Sequence, residues 1–172
     1  MLLAAYPQRG PAYRAGGAAL FLAAAVILTA LGFEHFGGYA ACPLCLQQRY
    51  AYYAGVPALF CALVLLSAGR TNAAAAVFVL VALTFLANAG LGTYHAGAEW
   101  KFWPGPDTCA ATAQPLSTGA GGLFKDLATT RVIRCDEAPW HFVGLSFAGW
   151  NVVASLLLAA AAAFSAVKAR YG

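Results

Sequence analysis

Long apolar runs separated by short polar connections set the pattern of this chain. Four runs contain no charged side chain: Ala15–Phe33, Tyr50–Ala68, Ala73–Gly92 and Val143–Val167. Crossing the hydrocarbon of a bilayer takes about 20 mostly apolar residues in a helix. A soluble helix of that length would place charges along its outer face at every turn or so. The pattern therefore predicts an all-α polytopic membrane protein, a four-transmembrane-helix bundle. The chain reads as one domain, 1–172, without internal repeats. A brief loop (Glu34–Ala41) follows the first span and a tight turn (Gly69–Asn72) the second. A long polar loop of about 93–142 follows the third.

Composition agrees, with 62% hydrophobic and 9% charged residues, far from the balance of a soluble domain. The charges also give an orientation. With four spans, Arg9, Arg14, Arg70, Lys168 and Arg170 share one side, and no acid lies there. The other side carries Arg49, Lys101, Lys125, Arg131 and Arg134 with all six acids: Glu34, Glu99, Asp107, Asp126, Asp136 and Glu137. Lys and Arg near short loops favour the cytoplasmic side, which predicts both termini there. The net charge of +4 follows from topology and calls for no nucleic acid. Arg9 and Arg14, an apolar run and Gly38-Tyr39-Ala40-Ala41 also resemble a cleavable signal peptide. The run is long for one and three spans follow, so a retained first helix is expected.

Four of the five cysteines fall on the outward side, where disulfides persist. Cys42-Pro43-Leu44-Cys45 puts two thiols on one side of a first helical turn, with Pro43 suited to the first helical position. Unpaired backbone N–H groups and the positive end of the helix dipole favour a thiolate there. Arg49 stacks over the same face one turn on, and a guanidinium at that depth needs a partner. The bland alternative is a structural pair with Arg49 reaching to the interface. Cys109 and Cys135 in the long loop could be an ordinary staple or, beside an outward Cys-x-x-Cys, the second half of a relay. Cys61, amid Phe60, Leu63 and Val64, reads as a buried hydrophobic filler. Zinc is disfavoured because no second Cys-x-x-Cys or His-x-His cluster completes a site. Haem attachment fails because Leu46 stands where histidine is needed. No metal is expected.

The remaining polar and aromatic residues read more blandly. Trp100, Trp103 and Trp140 suggest an interfacial belt, and Trp150 reads as packing within the fourth span. Tyr50, Tyr52 and Tyr53 could be belt or pocket wall. Glu34 and His35 read as solvated loop residues. Leu123, Phe124, Leu127 and Val132 or Ile133 could line a helix lying in the interface plane.

Over essentially its whole length the chain resembles the bacterial disulfide bond formation protein B (DsbB) family. The resemblance rests on Cys42-Pro43-Leu44-Cys45 with Arg49, and on His95 ahead of Pro104-Gly105-Pro106-Asp107-Thr108-Cys109. It continues through Cys135-Asp136-Glu137-Ala138-Pro139-Trp140 into Phe142-Val143-Gly144-Leu145-Ser146. Vitamin K epoxide reductase-like proteins have the cysteine pairs in the opposite order. Gln48 departs from the family, where Glu often precedes the arginine. The resemblance implies a thiol:quinone oxidoreductase of the bacterial inner membrane with its redox cysteines periplasmic. It would reoxidise a soluble thioredoxin-like, DsbA-type dithiol protein. Cys42, Cys45, Cys109 and Cys135 would be catalytic. The electron sink would be ubiquinone or menaquinone near Arg49, with His95 a second candidate neighbour. The alternative from a different class is a non-catalytic membrane scaffold with two permanent disulfides.

Overall fold

The computed structural model describes residues 10–39, 41–105, 135–136, 138 and 140–171. Among them are four long helices, α1 (Gly10–His35), α2 (Pro43–Ser67), α3 (Thr71–Glu99) and α4 (Phe147–Tyr171). A small antiparallel hairpin of β1 (His141–Phe142) and β2 (Leu145–Ser146) precedes α4. All four helices are long and apolar enough to cross a bilayer. The chain is thus an all-α, multi-pass membrane protein, as the apolar runs predict.

Successive helices alternate in direction. The end of α1 meets the start of α2 through Glu34 and Arg49. The end of α3 meets the start of α4 through Glu99 and Ser146. Packing runs round a ring: α3 lies mainly against α4 and then α2, while α1 closes against α4 and α2. Across the diagonal, α2 and α4 scarcely touch. Lipid removes the hydrophobic drive between helices, so close backbone approach through small residues holds such bundles together. Ala74, Ala75, Ala89 and Gly92 of α3, and Ala148, Gly149, Ala159, Ala162 and Ala166 of α4, are all buried. Two phenylalanines lock the bundle from the other side: the Phe78 ring lies over Gly16 and the Phe85 ring over Gly55.

The helix boundaries differ from the apolar runs in three places that matter for function. Helix α2 begins at Pro43, before the apolar run starts, so the Cys-x-x-Cys is part of its first turn. Helix α3 continues past Gly92 to Glu99, because no breaker intervenes and His95, Ala96, Gly97 and Ala98 are buried. Val143, expected to open the fourth span, instead sits in the tight hairpin turn with φ 53°, beside Gly144 at φ 79°. That backbone region is uncommon for a β-branched residue.

Three side chains are placed otherwise than expected. Cys61 is exposed on the outer face of α2, not buried; without a membrane in view, an apolar run does not distinguish a lipid-facing position from a core one. Glu34 is no solvated loop residue, since it closes α1 and pairs with Arg49. Trp150 stands in the first turn of α4 and donates its indole N–H to the Phe142 carbonyl at 3.0 Å. The proposed interfacial segment around Leu123–Ile133 lies outside the described residues.

A Cβ at Gly55 would meet the fully buried Phe85 ring at 2.7 Å. Overpacking of this kind costs about 1–3 kcal/mol. Gly55→Ala is therefore expected to lower the thermal unfolding midpoint in detergent, and an unchanged midpoint would mean that Phe85 has somewhere else to go.

Candidate active site

The site is built around the first turn of α2. Cys42 is the N-cap residue: its backbone is extended, and its sulfur accepts the Cys45 backbone N–H at 3.2 Å, as a serine or aspartate oxygen would. Pro43 occupies the first turn, where its missing N–H leaves no bond unmade. Both thiols are free, and their sulfurs are 2.8 Å apart. The hydrogen bond from the Cys45 thiol holds the Cys42 pKa down at about 5, against the opposing effect of burial, with His95 reinforcing the shift. At neutral pH Cys42 is then a thiolate, the reactive form of the group.

His95 reaches this pair from α3, with Nε2 3.7 Å from the Cys42 sulfur. The same nitrogen is 3.7 Å from a Glu99 oxygen one helical turn on. Ser146 of β2 donates to the other Glu99 oxygen. The His95 and Glu99 side chains are nearly inaccessible, at 3% and 5% exposure. On its far side, His95 Nδ1 lies 2.9 Å from the Gln48 amide nitrogen. A chain of amides and hydroxyls then descends into the bundle. Asn151 donates to Gln48 Oε1 at 2.7 Å and accepts from Tyr52 at 2.7 Å and from Asn88 at 3.3 Å. Asn88 also donates to Ser155 at 3.0 Å. Among the described residues, no buried side-chain nitrogen or oxygen lacks a partner, as a bilayer interior demands.

Of the long-loop pair, Cys135 is buried and packs with Cys42, Leu44, Cys45 and Leu91. It is disulfide-bonded; Cys109 lies outside the described residues. Lys101, just beyond α3, holds this stretch down by donating to the Asp136 carboxylate at 2.7 Å and to its carbonyl at 2.8 Å. Arg49 points across to α1, where it pairs with Glu34 and reaches the Ala30 carbonyl at 3.5 Å.

A cavity of about 1080 Å³ opens from the two thiols. Its upper wall holds Cys42, Cys45, Arg49, His95 and Glu99; Gln48, Tyr52 and Asn151 also line it. Leu22, Val26, Val153 and Leu157 carry it down between α1 and α4. Aromatic rings frame its mouth. Trp140 stacks on Phe147 at 4.7 Å between centroids and on Phe142 at 5.8 Å, and Phe33 lies 5.1 Å from Phe147.

The structure thus brings Cys42, Cys45, Arg49, His95 and Cys135 to one place. Sequence reasoning missed Glu99, which had been counted only as an outward charge, and the Gln48–Asn151–Asn88 network. Its signal was present: Asn88 and Asn151 are amides inside otherwise apolar spans, where polar side chains mark function or specific packing. Sequence spacing did not show that His95 supplies a third donor from another helix: its ring, Cys42 and Cys45 have ligand atoms all within 4.8 Å. In the structure those atoms are engaged with protein partners, Nδ1 with the Gln48 amide nitrogen and the Cys42 sulfur with the Cys45 thiol and backbone N–H.

The family model "Disulfide bond formation protein DsbB" matches residues 13–165. The chain belongs to the DsbB family. Among its relatives, disulfide bond formation protein B of Aromatoleum aromaticum is 32% identical over 167 residues, covering 90% of this chain and 95% of the relative. The proteins of that name from Azoarcus sp. and Albidiferax ferrireducens are 30% and 28% identical, over 78% and 70% of this chain. No solved structure matches. Membership in the DsbB family makes this chain a membrane oxidoreductase of disulfide formation.

The Cys42 thiolate gives a pH signature. Since only the thiolate attacks, alkylation of the reduced protein at Cys42 should stay fast at neutral pH and fall as the pH drops through about 5. An ordinary thiol, with a pKa of about 8.5, would already be slow at pH 7. A profile centred there would show that the Cys45 thiol does not hold Cys42 in this form.

Proposed function

We propose that this protein is a thiol:quinone oxidoreductase of a bacterial inner membrane, which reoxidises a soluble thioredoxin-like, DsbA-type dithiol protein. The observation that carries the reading is the position of the Cys42–Cys45 turn, with Cys135 packed against it and a large apolar cavity opening from the same thiols. The charge asymmetry supports cytoplasmic termini and periplasmic thiols.

The relay runs as four thiol exchanges and one oxidation. A donor thiolate attacks the Cys109–Cys135 disulfide at Cys109 and displaces Cys135 as a thiolate. Cys135 attacks Cys42 and displaces Cys45, leaving a Cys42–Cys135 bridge; each exchange makes one S–S bond and breaks one. The donor's second thiol attacks its own bridged sulfur, so the donor leaves oxidised and Cys109 is freed. Cys109 then recaptures Cys135, and Cys42 departs. A low thiol pKa speeds that departure, and the cap, the Cys45 thiol and His95 all favour the Cys42 thiolate. Free Cys42 and Cys45 beside a disulfide-bonded Cys135 correspond to the chain carrying the donated electrons.

The cavity fits a quinone: an apolar shaft for an isoprenoid tail ends at a sulfur and a guanidinium. A bound quinone would supply a sink for two electrons and two protons. Arg49, 12% exposed and braced by Glu34, would orient the ring beside Cys45. The buried walls would keep water from the thiols.

Three outcomes test this reading. A membrane-impermeant thiol reagent applied to intact, reduced cells should label Cys109 and Cys135; labelling only after lysis would reverse the topology. Cys135→Ala should trap a mixed disulfide between Cys109 and the donor, and trapping through Cys42 would move the entry point. Arg49→Lys keeps the charge but loses the planar fork of donors. It should weaken apparent quinone affinity by about tenfold, the scale of one charge-assisted hydrogen bond, while single-turnover exchange with the donor stays intact. Unchanged quinone dependence would remove Arg49 from the site.

A further inference from the structure

We propose that Gln48 and Asn151 are positioning residues that hold His95 in its Nε2–H tautomer, so that the ring offers Cys42 a proton and not a lone pair. The inference rests on the reading of Cys42 as a reacting thiol, but its geometry stands apart from any oxidant.

The orientation of the ring is set from the far end of the network. Asn151 Oδ1 receives the Tyr52 hydroxyl and the Asn88 amide. That leaves the Asn151 amide nitrogen to donate, and it does so to Gln48 Oε1 at 2.7 Å. With its oxygen committed, Gln48 turns its NH2 toward His95 Nδ1 at 2.9 Å. An amide NH2 only donates, so Nδ1 must accept and cannot carry a hydrogen. The ring's single proton is then on Nε2.

What surrounds Nε2 agrees. It faces the Cys42 sulfur and a Glu99 carboxylate oxygen, each at 3.7 Å. Thiolate and carboxylate are acceptors, and both are matched by an N–H and repelled by a lone pair. The tautomer is thereby specified from both sides, by a donor behind the ring and acceptors before it. Among the described residues, the other titratable groups around this cluster are Cys45 and Tyr52 from α2 and His141 from β1, which acts on Glu99. Arg49 is engaged by Glu34 on α1.

The arrangement does chemical work in the step that closes the Cys42–Cys45 disulfide. The Cys42 thiolate and the Cys45 thiol together would give two electrons and one proton to the quinone of the proposed function as the S–S bond forms. An N–H aimed at the Cys42 sulfur stabilises the thiolate before that step and as it leaves Cys135. It also keeps one proton beside the reacting sulfur. A histidine free to take either tautomer would spend part of its time presenting a lone pair to an anion.

Nitrogen-15 NMR of histidine-labelled full-length protein, kept reduced and quinone-free in nanodiscs, reads the tautomer directly. The His95 signals are assigned by their loss in His95→Gln. The expected spectrum at neutral pH has a protonated Nε2 and a bare Nδ1. Asn151→Leu frees the Gln48 amide to turn and should give a mixture of tautomers. In the same variant the midpoint for Cys42 alkylation should rise by about one pH unit, the scale expected for loss of a hydrogen bond to a charged group. Should Asn151→Leu not fold, Gln48→Met makes the same comparison. A protonated Nδ1 in the parent protein overturns the proposal, as does a variant whose ring signals and alkylation profile match the parent's. Failure of quinone turnover with the expected ring spectrum would count against the proposed function and leave the tautomer assignment standing.

Discussion

A polar side chain placed at the depth of a bilayer must find its partner inside the protein. That constraint organises the outer half of this bundle. Helices α2 and α4 scarcely pack against one another, yet Gln48 and Tyr52 of α2 both bond Asn151 of α4. The bonds bridge the diagonal where side-chain packing does not. Asn88 and Ser155 complete the set, so the polar chain touches three helices. Above it the bundle opens into the cavity; around it small residues bring α3 and α4 together. A half-satisfied network in this setting would be worse than an apolar core.

The helix N-cap ties this scaffold to the chemistry. Cys42 takes a role usually given to serine, threonine, aspartate or asparagine; the Cys45 thiol and His95 do most to make its sulfur acidic, and the capping bond adds to them. Structure and reactivity therefore meet at one sulfur. His95 and Glu99 can join only because α3 continues for two turns beyond its apolar run. The Lys101–Asp136 tether then brings the Cys135 stretch over the same spot.

Much of this was legible in the sequence, and the failures have physical causes. Four uncharged runs of adequate length gave the spans, because the hydrocarbon imposes its thickness on any helix that crosses it. The Cys-x-x-Cys with a following arginine pointed to the candidate site, since chemistry of that kind depends on local spacing. Partners drawn from other helices were not legible. Glu34 read as solvated because its partner, Arg49, lies across a loop on the next helix. Glu99 read as a loop charge because the apolar run stopped before the helix did. Cys61 read as core because hydropathy treats lipid and protein interior alike. The Gln48 network required knowing which faces of α2 and α4 look toward each other.

The Cys42–Cys45 turn also acts as a partition. On one side lies the loop cysteine, on the other the cavity, and Cys42 and Cys45 touch both. On the proposed chemistry, a water-soluble reductant and a lipid-soluble oxidant never share a compartment. Electrons cross only as bonds are exchanged within that boundary. Such an arrangement insulates a strong oxidant from the many other thiols that a membrane surface presents, and leaves selection of the reductant to the loop alone.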